Sequence, residues 1–142
     1  YGHVEGTKQA SRSSQDWYDH VAEQHIARIQ AAEDAERALV TALAHQVGNA
    51  VAAMPEAATR IAKAASIIQK RDVYPLSSGN FLVASQSDPR AAHLVVRAWA
   101  WECDCLHMQH KQSLCSHAIA AMLTVKLGAR YQPTYELAQD AA

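Results

Sequence analysis

Several things are scarce in this 142-residue chain, and each scarcity removes a class of function. Charge of one sign is missing: 13 basic residues face 14 acidic ones, for a net charge of −1. From Val73 onward the count is five against five, so no global basic field argues for a general polyanion binder. The five glycines are dispersed, which removes a glycine-rich phosphate cradle. No apolar run approaches the length of a membrane span, so no membrane role is expected. Nothing resembles a charged-then-apolar leader. Three cysteines are an odd number and make a poor disulfide framework. Thiols kept reduced in a cytoplasm suit them better, and the alanine-rich composition fits a prokaryotic or phage-infected cell.

What is present concentrates in one window. All three cysteines fall there, as Cys103-Asp104-Cys105, nine intervening residues, then Cys115-Ser116-His117. Three thiolates and one imidazole in two close pairs are the ligand set of a tetrahedral Zn²⁺. Residues i and i+2 of an extended segment point to one side, so Cys103 and Cys105 can share an ion. Cys115 and His117 stand where a helix begins, and its first turn can present both. His107 and His110 are spare imidazoles in the loop, and either is an alternative fourth ligand. Other readings explain less. Three unrelated buried cysteines would not cluster at ligand spacing, and a Cys103–Cys105 disulfide is sterically poor. A nucleophilic Cys115 activated by His117 leaves the other thiols unexplained and lacks an orienting carboxylate. A complete Cys₃His set leaves no open coordination position, so the expected site is structural, with no enzyme activity and no small-molecule substrate.

The rest of the chain divides around that window. Residues 1–12 are polar and aperiodic, and are expected to be flexible. Ser13 and Asp16 resemble a capping box, and a helix rich in Ala, Glu, Gln and Arg follows to Met54. Its apolar stripe passes through Tyr18, Ala22, Ile26, Ile29, Leu39, Leu43, Val47 and Val51, with Gly48-Asn49 as a weak point. Met54-Pro55 breaks and restarts the chain into a second helix to about Lys70, ended by Tyr74-Pro75. These two helices form a helical extension over 13–72. Phe81–Ser85 and His93–Trp101 read as two strands of a hairpin, with Trp99 and Trp101 on one face. Cys115–Leu127 reads as a helix closed by Gly128. The expected fold is therefore α+β: a long helix, a second helix, a β-hairpin and a C-terminal helix closing on zinc. A tail at 131–142 is uninformative.

The CxC and CxH pairs, preceded by this hairpin, resemble the SWIM zinc finger over about 73–130. The resemblance implies that Cys103, Cys105, Cys115 and His117 ligate zinc. It also implies binding to DNA or to other proteins as an accessory part of a larger assembly. Two positions depart from the family's habit: Leu106-His107-Met108 follows the second cysteine, and Ser116 stands where a basic residue is common. The candidate nucleic-acid surface comprises Arg60, Lys63, Lys70 and Arg71 on the second helix, His107, His110, Lys111 and Gln112 on the loop, and Lys126 and Arg130 on the last helix. Trp99 and Trp101 are either base-stacking platforms or core. The alternative role is a protein–protein adapter, with the long helix as handle and the zinc unit as a rigid knob.

Overall fold

The computed structural model describes residues 2–111 and 113–135, with side chains from Ser14 onward. Two compact units are resolved, Tyr1–Arg37 and Ala38–Ala142. Helix α1 spans Gly2–Ala53, so the stretch expected to be loose is helical and the Ser13–Asp16 signal lies inside the helix. Gly48 does not interrupt it, since one glycine costs only about 1 kcal/mol in a long helix. Within the first unit, Gln15 pairs with Asp19, and Asp34 receives both Gln30 and Arg37. These are i,i+3 and i,i+4 links along one helix.

In the second unit Pro55 opens a short 3₁₀ turn, Pro55–Ala57, that leads into α2, Ala58–Gln69. Arg71, in the left-handed region at φ 62°, ends that helix. Tyr74-Pro75 was expected only as a stop signal. It belongs instead to a short strand, β1, Val73–Pro75. Pro75 is tolerated because β1 is an edge strand. Strand β2 is Phe81–Ala84, as expected. The expected second strand, His93–Trp101, is in fact two: β3, Ala92–Arg97, and β4, Trp101–Cys103. Ala98-Trp99-Ala100 turns between them without any of the usual turn residues. The sheet is an antiparallel meander in the order β1-β2-β3-β4.

Register decides what each face carries. Val73 pairs with Val83, which pairs with His93; Phe81 pairs with Val95, which pairs with Cys103. Paired residues lie on the same face, so valines, Phe81, His93 and Cys103 share one side. Val73, Val83 and Val95 on that side are fully buried. Helix α4, Ser116–Leu127, packs across all four strands on that face and against α2 on its other side. It is enclosed almost all round, with Ala118–Ala121, Leu123, Thr124 and Leu127 buried. The small alanines let two layers approach it closely. Thr124 satisfies its buried hydroxyl by donating to the Ala120 carbonyl at 2.8 Å. Leu39, Leu43 and Ala50 of α1 belong to the same core. The inter-cysteine loop contains one more element, the short helix α3, Leu106–Lys111. Among the described residues no helix is long and apolar enough to cross a membrane.

Candidate metal centre

The four candidate ligands come from the end of β4 and the start of α4. Cys103 ends β4 on the buried face of the sheet, and Cys105 follows two residues later on the same side. Cys115 is the N-cap of α4, and His117 lies in its first turn. The Sγ atoms of Cys103, Cys105 and Cys115 and a ring nitrogen of His117 all lie within 4.8 Å of one another. Cys103 Sγ is 3.9 Å from His117 Nδ1. Tetrahedral coordination with metal–sulfur bonds of about 2.3 Å requires ligand separations of about 3.8 Å. The four donors are therefore placed to bind one metal ion. Cys105 and Cys115 are buried, while Cys103 and His117 are partly exposed.

The cluster's own hydrogen bonds favour the thiolate form of one cysteine. The Cys115 pKa is lowered to about 3, first by its hydrogen bond with Cys103, then by those with His117 and the Ala118 amide; burial opposes the shift. The Ala118 N–H donates to Cys115 Sγ at 3.3 Å, a helix N-terminal donor turned on a sulfur. Cys103 is displaced upward, mainly because its thiol faces that thiolate. Burial raises Cys105. A metal ion held here would take all three cysteines as thiolates and tie its binding energy to folding.

The surroundings hold the ligands in place. His93 stacks on His117, with ring centroids 4.1 Å apart, and its Nδ1 lies 3.0 Å from Asp104 Oδ1. The other Asp104 oxygen accepts from the Leu94 amide at 3.3 Å, tying the residue between the two cysteines to β3. Neither His93 nor Asp104 stood out in the sequence. The pairing that joins them appears only once β3 and β4 are known to be antiparallel neighbours. Tyr131, expected in an uninformative tail, is buried against β1.

The candidate nucleic-acid residues scatter. Arg60 turns inward: it donates to the Leu114 carbonyl and to Ser113 Oγ at 3.2 Å, and lies 3.4 Å from His107 Nε2. His107 also meets Ser113 Oγ at 3.0 Å, so it belongs to the loop's internal fastening. Arg71 donates to the Gln132 carbonyl. Lys63 and Lys70 are exposed on α2, and His110 and Lys111 are exposed on α3. Gln112 lies outside the described residues. Lys126 and Arg130 are exposed at the far end of α4, Lys126 being about 15 Å along the helix from Ser116. Trp99 and Trp101 part company. Trp101 packs on Phe81 and under the Arg97 guanidinium, whereas Trp99 at the β3–β4 turn is 100% exposed.

The family model described as SWIM zinc finger matches residues 95–126. That span opens in β3, takes in both ligand pairs and closes near the end of α4. Residues 95–126 form a SWIM zinc finger. No curated protein and no solved structure matches the chain. The SWIM finger here comprises the β3–β4 hairpin, α3 and α4, with β1, β2 and α2 completing the layers around it.

Proposed function

We propose that the chain holds one structural Zn²⁺ through Cys103, Cys105, Cys115 and His117 and uses the SWIM finger to bind DNA within a larger assembly. The observation that carries the DNA reading is Trp99. A tryptophan wholly in solvent at the tip of a hairpin has lost the apolar contacts such a ring normally makes. The hairpin beneath it runs through β4 straight into Cys103, where a bound ion would anchor it. An exposed indole on a fixed stem is a stacking platform for an unpaired base, and such stacking tolerates any sequence. Arg97, immediately before the turn, carries its guanidinium over the neighbouring Trp101 ring. The near-neutral chain argues against strong non-specific binding. A cytoplasmic setting suits its reduced thiols. No catalytic role is proposed, since four protein ligands complete a zinc shell.

The test is fluorescence anisotropy of the zinc-loaded protein against single- and double-stranded DNA at two salt concentrations. Saturable, salt-sensitive binding that prefers single strands and weakens in Trp99→Ser supports the reading. Absence of binding at low salt, from protein with one zinc per chain, removes it.

A second reading has its own observation. In the unit Tyr1–Arg37, the side chains of Trp17, Tyr18, Val21, Ile26 and Ile29 are exposed along α1. Apolar residues at this density on one helix suit a partner helix, which makes the finger a knob on a protein adapter. Sedimentation of the full chain, alone and with Ile26→Glu, tests self-pairing of that face.

A further inference from the structure

We infer that a cavity beside the zinc ligands, between α2 and the β2–β3 turn, is a binding pocket for a phosphate group of nucleic acid. The cavity measures about 440 Å³, room for a phosphate with its attached sugar. Its polar walls come from three elements. Lys63 and Ser66 line it from α2 and Lys70 from the C-cap of that helix, Ser85–Ser87 from the turn, and Ser116 from the start of α4, and His93 and His117 line it as well. No carboxylate lines it.

The two lysines are set for an anion. Residues 63, 66 and 70 recur at helical spacing, so Lys63, Ser66 and Lys70 share one face of α2. Lys70 Nζ donates to Gln86 Oε1 at 2.9 Å. Gln86 is itself oriented by donating to the Ala84 carbonyl at 2.9 Å and to Asp72 Oδ2 at 3.4 Å. An amide partner fixes the ammonium without neutralising it. Among the described residues neither lysine pairs with a carboxylate. Acids of the neighbouring segments have partners of their own, Asp72 in Gln86, Asp88 in the Arg90 amide and Asp104 in His93 and the Leu94 amide. Serine hydroxyls from α2, the turn and the start of α4 add donors. Two uncancelled cations, hydroxyl donors and a concave wall match phosphate oxygens better than a neutral or cationic ligand.

The source of that phosphate rests on the DNA reading, and the experiment separates the two. Amide NMR shifts of the zinc-loaded full chain are followed on titration with inorganic phosphate against chloride at matched ionic strength. The same is done for Lys63→Ala/Lys70→Ala, with zinc content measured on every sample. Shifts at Lys63, Ser66, Ser87 and Ser116, weakened at least tenfold in the double variant at unchanged zinc content, support the pocket. No phosphate-specific shift there, or shifts that persist in the double variant, overturn it. Anisotropy with oligonucleotides bearing or lacking a 5′-phosphate then locates the group. A preference for the phosphorylated end that vanishes in the double variant assigns a terminal phosphate. Equal binding whose salt slope falls by about two in the variant assigns internal ones. Phosphate binding without oligonucleotide binding keeps the pocket and removes the DNA reading. Oligonucleotide binding indifferent to both lysines keeps the DNA reading and removes the pocket.

Discussion

The Tyr131 hydroxyl donates to the Val73 carbonyl at 2.7 Å and accepts from the Val73 amide at 3.0 Å. One side chain thereby takes both backbone groups that Val73 would offer to a further strand. β1 is the edge of the sheet, and an edge left unpaired invites another chain. The same contact returns the segment after α4 to the start of the sheet, closing the layers over a fully buried valine.

Tyr131→Phe should therefore cost more than its lost atom suggests. Val73 is shielded from water, so its amide and carbonyl would lose their partner without gaining solvent. Leaving such groups unsatisfied costs about 1–3 kcal/mol. The tyrosine also predicts an alkaline limb. Burial raises its pKa to about 12, so the fold favours the neutral phenol. That contribution is fully present below about pH 10 and is lost as pH rises through 12. Denaturant midpoints of zinc-loaded wild type and Tyr131→Phe between pH 8 and 12 check both points. The variant should be less stable at pH 8 and decline less steeply at alkaline pH.

How legible this was differs by element. The clustering of Cys103, Cys105, Cys115 and His117 could be read directly, because soft donors in two tight pairs carry their chemistry in their spacing. Strand β2 and helix α4 were legible from turn residues and Gly128. The β3–β4 hairpin was not, since Ala98-Trp99-Ala100 contains no glycine, proline or asparagine to mark a turn. That single omission put Trp99 and Trp101 on one face, when one is fully exposed and the other packs on Phe81. Strand β1 hid behind Pro75, and Arg60 looked like a surface cation because its partners are loop groups more than 45 residues away. Local pattern carries chemistry well, but it does not carry pairings that tertiary structure creates.

Removal of one thiolate should separate metal loss from helix capping. Serine is a good N-cap, so Cys115→Ser preserves the bond to the Ala118 amide while deleting a ligand. The expected result is loss of zinc and of cooperative unfolding in the second unit, because metal binding is part of its folding energy. His107→Ala should stay zinc-loaded. Metal analysis with thermal melts checks the pair; a cooperative, metal-free Cys115→Ser protein would show that the site is not structural.

Arg60 should act on metal retention. Its guanidinium holds the Leu114 carbonyl and Ser113 just ahead of Cys115, so Arg60→Ala frees the segment that delivers the second ligand pair. Groups that orient ligands contribute about 10–100-fold in affinity, and the low end, about tenfold, is expected here. Arg60→Lys should rescue part of it, because the contacts to His107, Ser113 and Leu114 all leave one guanidinium nitrogen, Nη1, whose place an ammonium can take. Competition with a chromophoric zinc chelator measures the ratio, and equal affinities in all three proteins would refute the role.

Trp99 gives the sharpest separation of binding from stability. The ring is free of the core, so Trp99→Ser should leave the unfolding midpoint and zinc content unchanged. If the indole stacks on a base, the same variant should lose about 1–3 kcal/mol of single-strand affinity. Trp99→Phe, which keeps a smaller aromatic face, should recover part of it. Trp101→Ser offers the contrast, because that ring packs on Phe81 beneath Arg97 and its loss should lower stability. Anisotropy and thermal melts on the four proteins resolve the two roles. Unchanged DNA affinity in Trp99→Ser would move the DNA contact away from the hairpin tip.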